Sequence, residues 1–139
     1  MDQYLAHFAS DPKLIVHARR AVRGFVQSCG FSPEDEGDVV IAVGEAIDNA
    51  VEHASATKVR IECRFDEGSL LVEVCDDGLG FPDWNKVPLA GDRQPLSDGG
   101  VRVRGYGIHL MRELMDDLSF KDDGRCVCLT KQLSRSGVS

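Results

Sequence analysis

At 139 residues the chain is long enough for one domain with its own core, without disulfide support. Its 42% hydrophobic and 28% charged residues suit a soluble globular protein, and no apolar run reaches the roughly 20 residues of a membrane span. A formal charge of −7 argues against bulk binding to nucleic-acid phosphates, which needs a concentrated basic surface, so a protein partner or small ligand fits better.

The start, MDQYLAHFASDPK, lacks the basic and long apolar stretches of a signal peptide, so the expected location is the cytoplasm. Residues 2–9 alternate loosely and predict a first strand. Ser10 or Asp11 caps the helix that follows, with Pro12 in its first turn. Leu14, Ala18, Ala21, Val22, Phe25 and Val26 give that helix an apolar side to about residue 27, and Arg19, Arg20 and Arg23 read as its solvated face. Gly30 suits the helix end. Ser32 and Pro33 open a second helix, whose apolar stripe is expected through Val40, Val43, Ile47, Ala50/Val51 and Ala54. Residues 58–65 and 70–75 alternate as strands around a turn at Asp66–Gly68, which predicts a hairpin.

From residue 76 to 105 no period is sustained, and a stretch this long in a compact domain is usually functional. Ile108, Met111, Leu114/Met115 and Leu118 then mark a third helix. Residues 118–121 and 125–133 read as a closing hairpin, and 134–139 as a flexible tail. The five cysteines include no CxxC pair, so buried reduced thiols are expected; Cys126 and Cys128 share a strand face but lack the usual zinc-ligand spacing.

Three stretches carry chemistry. In Gly44–Ala54 (GEAIDNAVEHA), Glu45 and Asn49 stand four apart on one side of a helix. An asparagine oxygen is a hard ligand suited to Mg²⁺, and a carboxylate one turn away can deprotonate a hydroxyl, although solvated polar faces share this look. In VCDDGLGF, Asp76 ends a strand ahead of Gly78 and Gly80; this is either a turn or a site where a carboxylate meets a purine amine. Gly105 and Gly107 open the third helix, whose N–H groups make a ready phosphate site. No GxxxxGK[ST] loop occurs, so a nucleotide would be held in another way.

In this order the three stretches resemble the GHKL family of ATP-binding domains, and more closely the bacterial anti-sigma factor serine kinases of the RsbW and SpoIIAB type. The resemblance implies an α/β (α+β) two-layer sandwich spanning residues 1–133. It implies a mixed, largely antiparallel sheet, covered on one face by about three to four helices. It makes Glu45 the general base, Asn49 the Mg²⁺ ligand and Asp76 the reader of adenine. Gly78, Gly80, Gly105 and Gly107 become the nucleotide-contacting glycines, and residues 82–104 the ATP lid. Arg104, or Arg102 beside it, would reach the γ-phosphate. ATP and Mg²⁺ are the implied cofactors. An anti-sigma factor antagonist (a STAS domain) is the implied phosphoryl acceptor, a sigma factor the sequestered partner, and a homodimer the implied assembly. The alternative is a non-catalytic ATP-binding regulator that acts by sequestration only. Two departures from the family stand out: Asp77 where asparagine is common, and Arg125 after Gly124 where threonine often helps hold an adenine-bound water.

Overall fold

The structure, a computed structural model, describes residues 2–9, 11–53, 58–78, 92–95, 101–104, 106–122 and 124–133. In chain order these form β1 (Asp2–Ala9), α1 (Pro12–Ser28), α2 (Pro33–Asp48), a π-helical turn (Asn49–His53), β2 (Lys58–Asp66), β3 (Ser69–Asp76), β4 (Asp92–Pro95), β5 (Val101–Arg104), α3 (Tyr106–Leu114), β6 (Asp117–Lys121) and β7 (Cys126–Gln132). Five strands make one sheet in the order β1-β2-β3-β7-β6, while β4 and β5 pair separately. Every described pairing is antiparallel, in keeping with the mixed, largely antiparallel sheet expected.

Local chemistry sets the element ends. Asp11 caps α1 by accepting the Lys13 N–H at 2.8 Å, and Ser32 caps α2 by accepting the Asp35 N–H at 3.1 Å. Glu34, Asp35 and Glu36 sit in the first turn of α2, where negative charge meets the positive helix end. The β2–β3 connection is the two-residue loop Glu67-Gly68, with φ of 52° and 78° at the two positions. Two positive-φ residues match the right-handed twist of the strands they join.

The helices cover one face of the sheet. Val59, Ile61, Cys63, Leu70, Val72, Val74, Val127 and Leu129 meet Val22, Val26, Val39, Val43, Ile47, Ile108 and Met111 in a single core. Two helix phases differ from expectation. In α1 the buried residue is Ile15, with Leu14 39% exposed; in α2 it is Val39, with Val40 only half-buried and Ile41 exposed. Leu118 belongs to β6 and packs on the core from there, because α3 ends at Leu114.

That end is fixed from the sheet. The buried Lys131 amine donates to the Leu114 carbonyl at 2.6 Å, satisfying a last-turn acceptor. The Asp116 N–H donates to the Thr130 carbonyl at 2.9 Å, and the Asp116 carboxylate accepts the Gln132 N–H at 2.6 Å.

The cysteines divide into two groups. Cys29 and Cys63 are buried outside any disulfide, as expected, and burial first, then the neighbouring Cys29 and Glu62, push the Cys63 thiol up to about 12. Cys75 and Cys126, in contrast, form a disulfide, so the expectation of reduced thiols is corrected for this pair. The reason is register: β3 and β7 place the two residues directly opposite each other.

Candidate functional site

Glu45 and Asn49 lie where α2 changes its winding. The Asn49 N–H reaches both the Ala46 and the Glu45 carbonyls, and the chain then widens into the π-helical turn. Such turns inside helices are frequent at functional sites. Their neighbours Gly44, Ala46 and Ile47 are buried, whereas Glu45 and Asn49 are half-buried, so both polar groups stand at the border of the core. The continuous α-helix expected through Ala54 therefore ends at Asp48, and Ala54 lies outside the described residues.

Arg19 holds this end of α2. Its guanidinium pairs with the Asp48 carboxylate, and the same nitrogen lies 3.5 Å from the Gly44 carbonyl. Arg19 stands on the exposed side expected for it, with Arg20 and Arg23, and also clips α1 to α2. Arg23 keeps a looser pairing with Glu36 at 3.9 Å.

The second group forms at the end of β3, which is in contact with both α2 and the π-helical turn. The Asp76 N–H donates to the Arg125 carbonyl at 2.9 Å, continuing the β3–β7 ladder one step past Cys75. One Asp76 carboxylate oxygen accepts the Gly78 N–H at 2.8 Å. Arg125 closes the loop from the other side, its Nε donating to the Gly78 carbonyl at 2.9 Å. Burial pushes the Asp76 carboxyl above the usual carboxylate range, with the nearby Asp77 adding to it; Gly78 and Arg125 oppose the shift. A carboxylate with one oxygen committed to a backbone N–H keeps further acceptor capacity.

Both departures from the family pattern have a structural account. Asp77 accepts the Lys58 N–H through Oδ1 at 3.0 Å and so ties the start of β2 to the end of β3. An asparagine oxygen would accept the same bond. Arg125, whose place in the sequence gave no hint of its partner, positions Gly78.

Gly107 lies in the first turn of α3, which packs alongside α2. Arg102 and Arg104 lie on β5, opposite Gln94 and Asp92 of β4. This short hairpin corrects the expectation that regular structure is absent between 76 and 105. Gly80 and Gly105 fall outside the described residues, as does most of 82–104.

A cavity of about 500 Å³ wraps the ends of β1–β3, and its walls include His7, Lys58, Arg60, Cys75, Asp76 and Asp77. Among the described residues none of its walls comes from α2 or α3.

Over residues 8–131 the chain matches the family described as the histidine kinase-like ATPase domain, and it belongs to that family, the GHKL class. Its relatives include the serine-protein kinase RsbW of Listeria innocua, 30% identical over 143 residues that cover 99% of this chain and 91% of that one. A serine-protein kinase RsbW of Bacillus licheniformis is 35% identical over 138 residues, covering 91% and 83%. In fold the chain is similar to the RsbU and RsbW domains of Rv1364c from Mycobacterium tuberculosis, with a TM-score of 0.69 and 19% identity. That likeness covers 97% of this chain and 33% of the longer one. Among the described residues no helix is long and apolar enough to cross a membrane.

Proposed function

We propose that this chain is an ATP-dependent protein serine/threonine kinase and anti-sigma factor. It phosphorylates a STAS-domain antagonist and sequesters a sigma factor, as a homodimer in the cytoplasm. The observation that carries this reading is the closed hydrogen-bond loop Asp76–Gly78–Arg125 at the end of β3, a strand in contact with α2, which bears Glu45, and with the π-helical turn that begins at Asn49.

The residues fit a magnesium nucleotide. Asp76 retains acceptor capacity for the exocyclic amine of adenine, and the loop to Arg125 keeps Gly78 close to the base. Asn49 offers the neutral hard oxygen that suits Mg²⁺, and a bound Mg²⁺ neutralises charge that builds on the phosphates. Gly80 lets backbone approach the nucleotide, and Gly105 and Gly107 leave the first N–H groups of α3 to the phosphates. Residues 82–104 act as the lid, with Arg104, or Arg102, meeting the γ-phosphate. Glu45 accepts the proton of the acceptor hydroxyl as that oxygen bonds to the terminal phosphorus, while ADP departs.

Asp76→Asn removes a charged acceptor and should weaken Mg-ATP binding by about 1.5–3 kcal/mol in calorimetry. Glu45→Ala should keep ATP affinity near normal yet abolish transfer of labelled phosphate to a STAS-domain acceptor. Asn49→Ala should harm both. Transfer by Glu45→Ala at the wild-type rate would remove the base from the mechanism. Nucleotide binding by the wild type with no transfer to cognate acceptors would leave a regulator that works by sequestration alone.

A further inference from the structure

The open face of the sheet carries a cluster of sulfur and charge outside the proposed nucleotide contacts. Register aligns His7, Arg60, Cys75, Cys126 and Lys121 in one row across all five strands. The next row places Glu73 between Glu62 and Cys128. Within this grid Arg60 Nη2 lies 3.0 Å from Cys75 Sγ and 2.7 Å from Glu73 Oε1. Glu73 Oε1 is 3.3 Å from Cys75 Sγ, Glu73 Oε2 is 3.5 Å from Cys128 Sγ, and Lys121 Nζ is 2.9 Å from Glu73 Oε2.

The guanidinium 3.0 Å from the Cys75 sulfur favours the thiolate, the form that both attacks and leaves in thiol–disulfide exchange, and Glu73 at 3.3 Å opposes it while pairing with that same guanidinium. Cys75 and Cys126 are 8% and 7% exposed, and Cys75 forms part of the cavity wall, which gives a path to its sulfur. That wall also carries Lys58 and His7, which suit a carboxylate-bearing visitor, together with Arg60, itself paired with Glu73, and with Asp76 and Asp77. The other thiols are poor competitors. Burial and then Glu73 push the Cys128 thiol up, and Cys63 is buried with its thiol raised still further. In the cytoplasm, where the proposed function places the chain, a disulfide is usually transient and redox-active.

We propose that the Cys75–Cys126 disulfide is a reversible redox site that exchanges with a carboxylate-bearing low-molecular-weight thiol entering through the cavity, and that its oxidation state sets how firmly the Asp76–Gly78 segment is held. In the oxidising direction, the Cys75 thiolate attacks one sulfur of the small-molecule disulfide. That S–S bond breaks, and one small thiolate leaves. Cys126 loses its proton to solvent and attacks the Cys75 sulfur, expelling the second small thiolate. Two electrons pass from the protein to the small disulfide, which leaves as two thiols, and reduction runs the same steps backward.

The coupling is positional. Cys75 precedes Asp76 and Cys126 follows Arg125, so the covalent bond is the rung next to the Asp76–Arg125 hydrogen bond. Arg125 in turn holds Gly78. Closing the bond fixes the spacing of the two strand ends that form the loop. Its effect on nucleotide affinity rests on the proposed reading of Asp76.

The test uses the full chain, reduced and then treated with oxidised glutathione, or with cystamine, which carries amines in place of carboxylates. Oxidation should remove two hydrogens from the intact mass and lower the alkylatable thiols of the denatured protein from five to three. Oxidised glutathione should react faster than cystamine. Exchange of amide hydrogens at residues 76–78 should slow on oxidation. The Mg-ADP Kd should tighten roughly threefold to tenfold, the size of one well-held hydrogen bond. Cys128→Ser should keep these differences and Cys126→Ser should lose them; the wild-type comparison stands without either variant. Five alkylatable thiols after treatment, equal rates with the two oxidants, or identical exchange at 76–78 in both states would overturn the proposal. Mg-ADP binding in neither state would defeat the nucleotide reading instead, and the exchange at 76–78 would still decide the redox site.

Discussion

The face of the sheet that meets the helices presents Val59, Ile61, Cys63, Leu70, Val72, Val74, Val127 and Leu129, all buried. The opposite face of the same strands presents Arg60, Glu62, Arg64, Glu73, Cys75, Cys126 and Cys128. One alternation builds both, so the difference lies in what each face asks of a side chain. The helix-facing side asks for volume and takes charge at Lys131, whose amine meets the end of α3, and its thiol at Cys63 is inert. The open side pairs charges across strands and brings cations against sulfur. Stability is concentrated on the first face and reactivity on the second.

Cutting into the first face should give the largest effect. Leu129→Ala leaves a cavity in a fully buried site and should cost about 2–5 kcal/mol in denaturant unfolding. Leu71→Ala, on the open face, should cost about 0.5 kcal/mol. Equal losses would mean that the open face is packed against something as tightly as the core.

Next in size is the covalent link. Cys126→Ser opens a crosslink spanning 51 residues and should cost about 2–4 kcal/mol under oxidising conditions and little under reducing ones. This would be the one large stability term on the open face, and redox dependence is its signature.

The smallest effect comes from charge. At Glu73 burial pushes the carboxyl up, but hydrogen bonds from Lys121 and Arg60 outweigh it and hold the group below its ordinary value of 4.5. A lowered folded-state value contributes stability above about pH 4.5, and that contribution is lost as pH falls further. Glu73→Gln should therefore cost about 1 kcal/mol or less near neutral pH, since Lys121 is 58% exposed and its pairing is screened. The variant should also flatten the acid limb of the stability curve below that pH. An unchanged acid limb would show that these ion pairs contribute nothing to folding.

The strands of the central hairpin were legible from sequence because alternation over Val59, Ile61, Cys63 and Phe65 fixes which face each residue takes. The helix phases were not. Leu14-Ile15-Val16 is a run of three apolar residues and Val39–Val43 a run of five, and counting spacings cannot say which members point inward. Val101-Arg102-Val103-Arg104 alternates as a strand should, but four residues among glycines were too short a signal. Of the candidate site, the types and spacings of Glu45, Asn49, Asp76 and Gly78 could be read directly. The role of Arg125 and the pairing of Cys75 with Cys126 could not, since both arise from contacts between strands some 50 residues apart in the chain.

The anchoring of α3 has a mechanical consequence. Lys131 and Asp116 bind the Leu114–Asp116 end of the helix to the sheet with three hydrogen bonds. The opposite end begins at Tyr106, next to the β5 hairpin. The helix is therefore held twice: by polar bonds at its C-terminal root, and along its length by Ile108 and Met111 in the core beside α2. A load delivered at Tyr106 and Gly107 is passed to α2 and the sheet together.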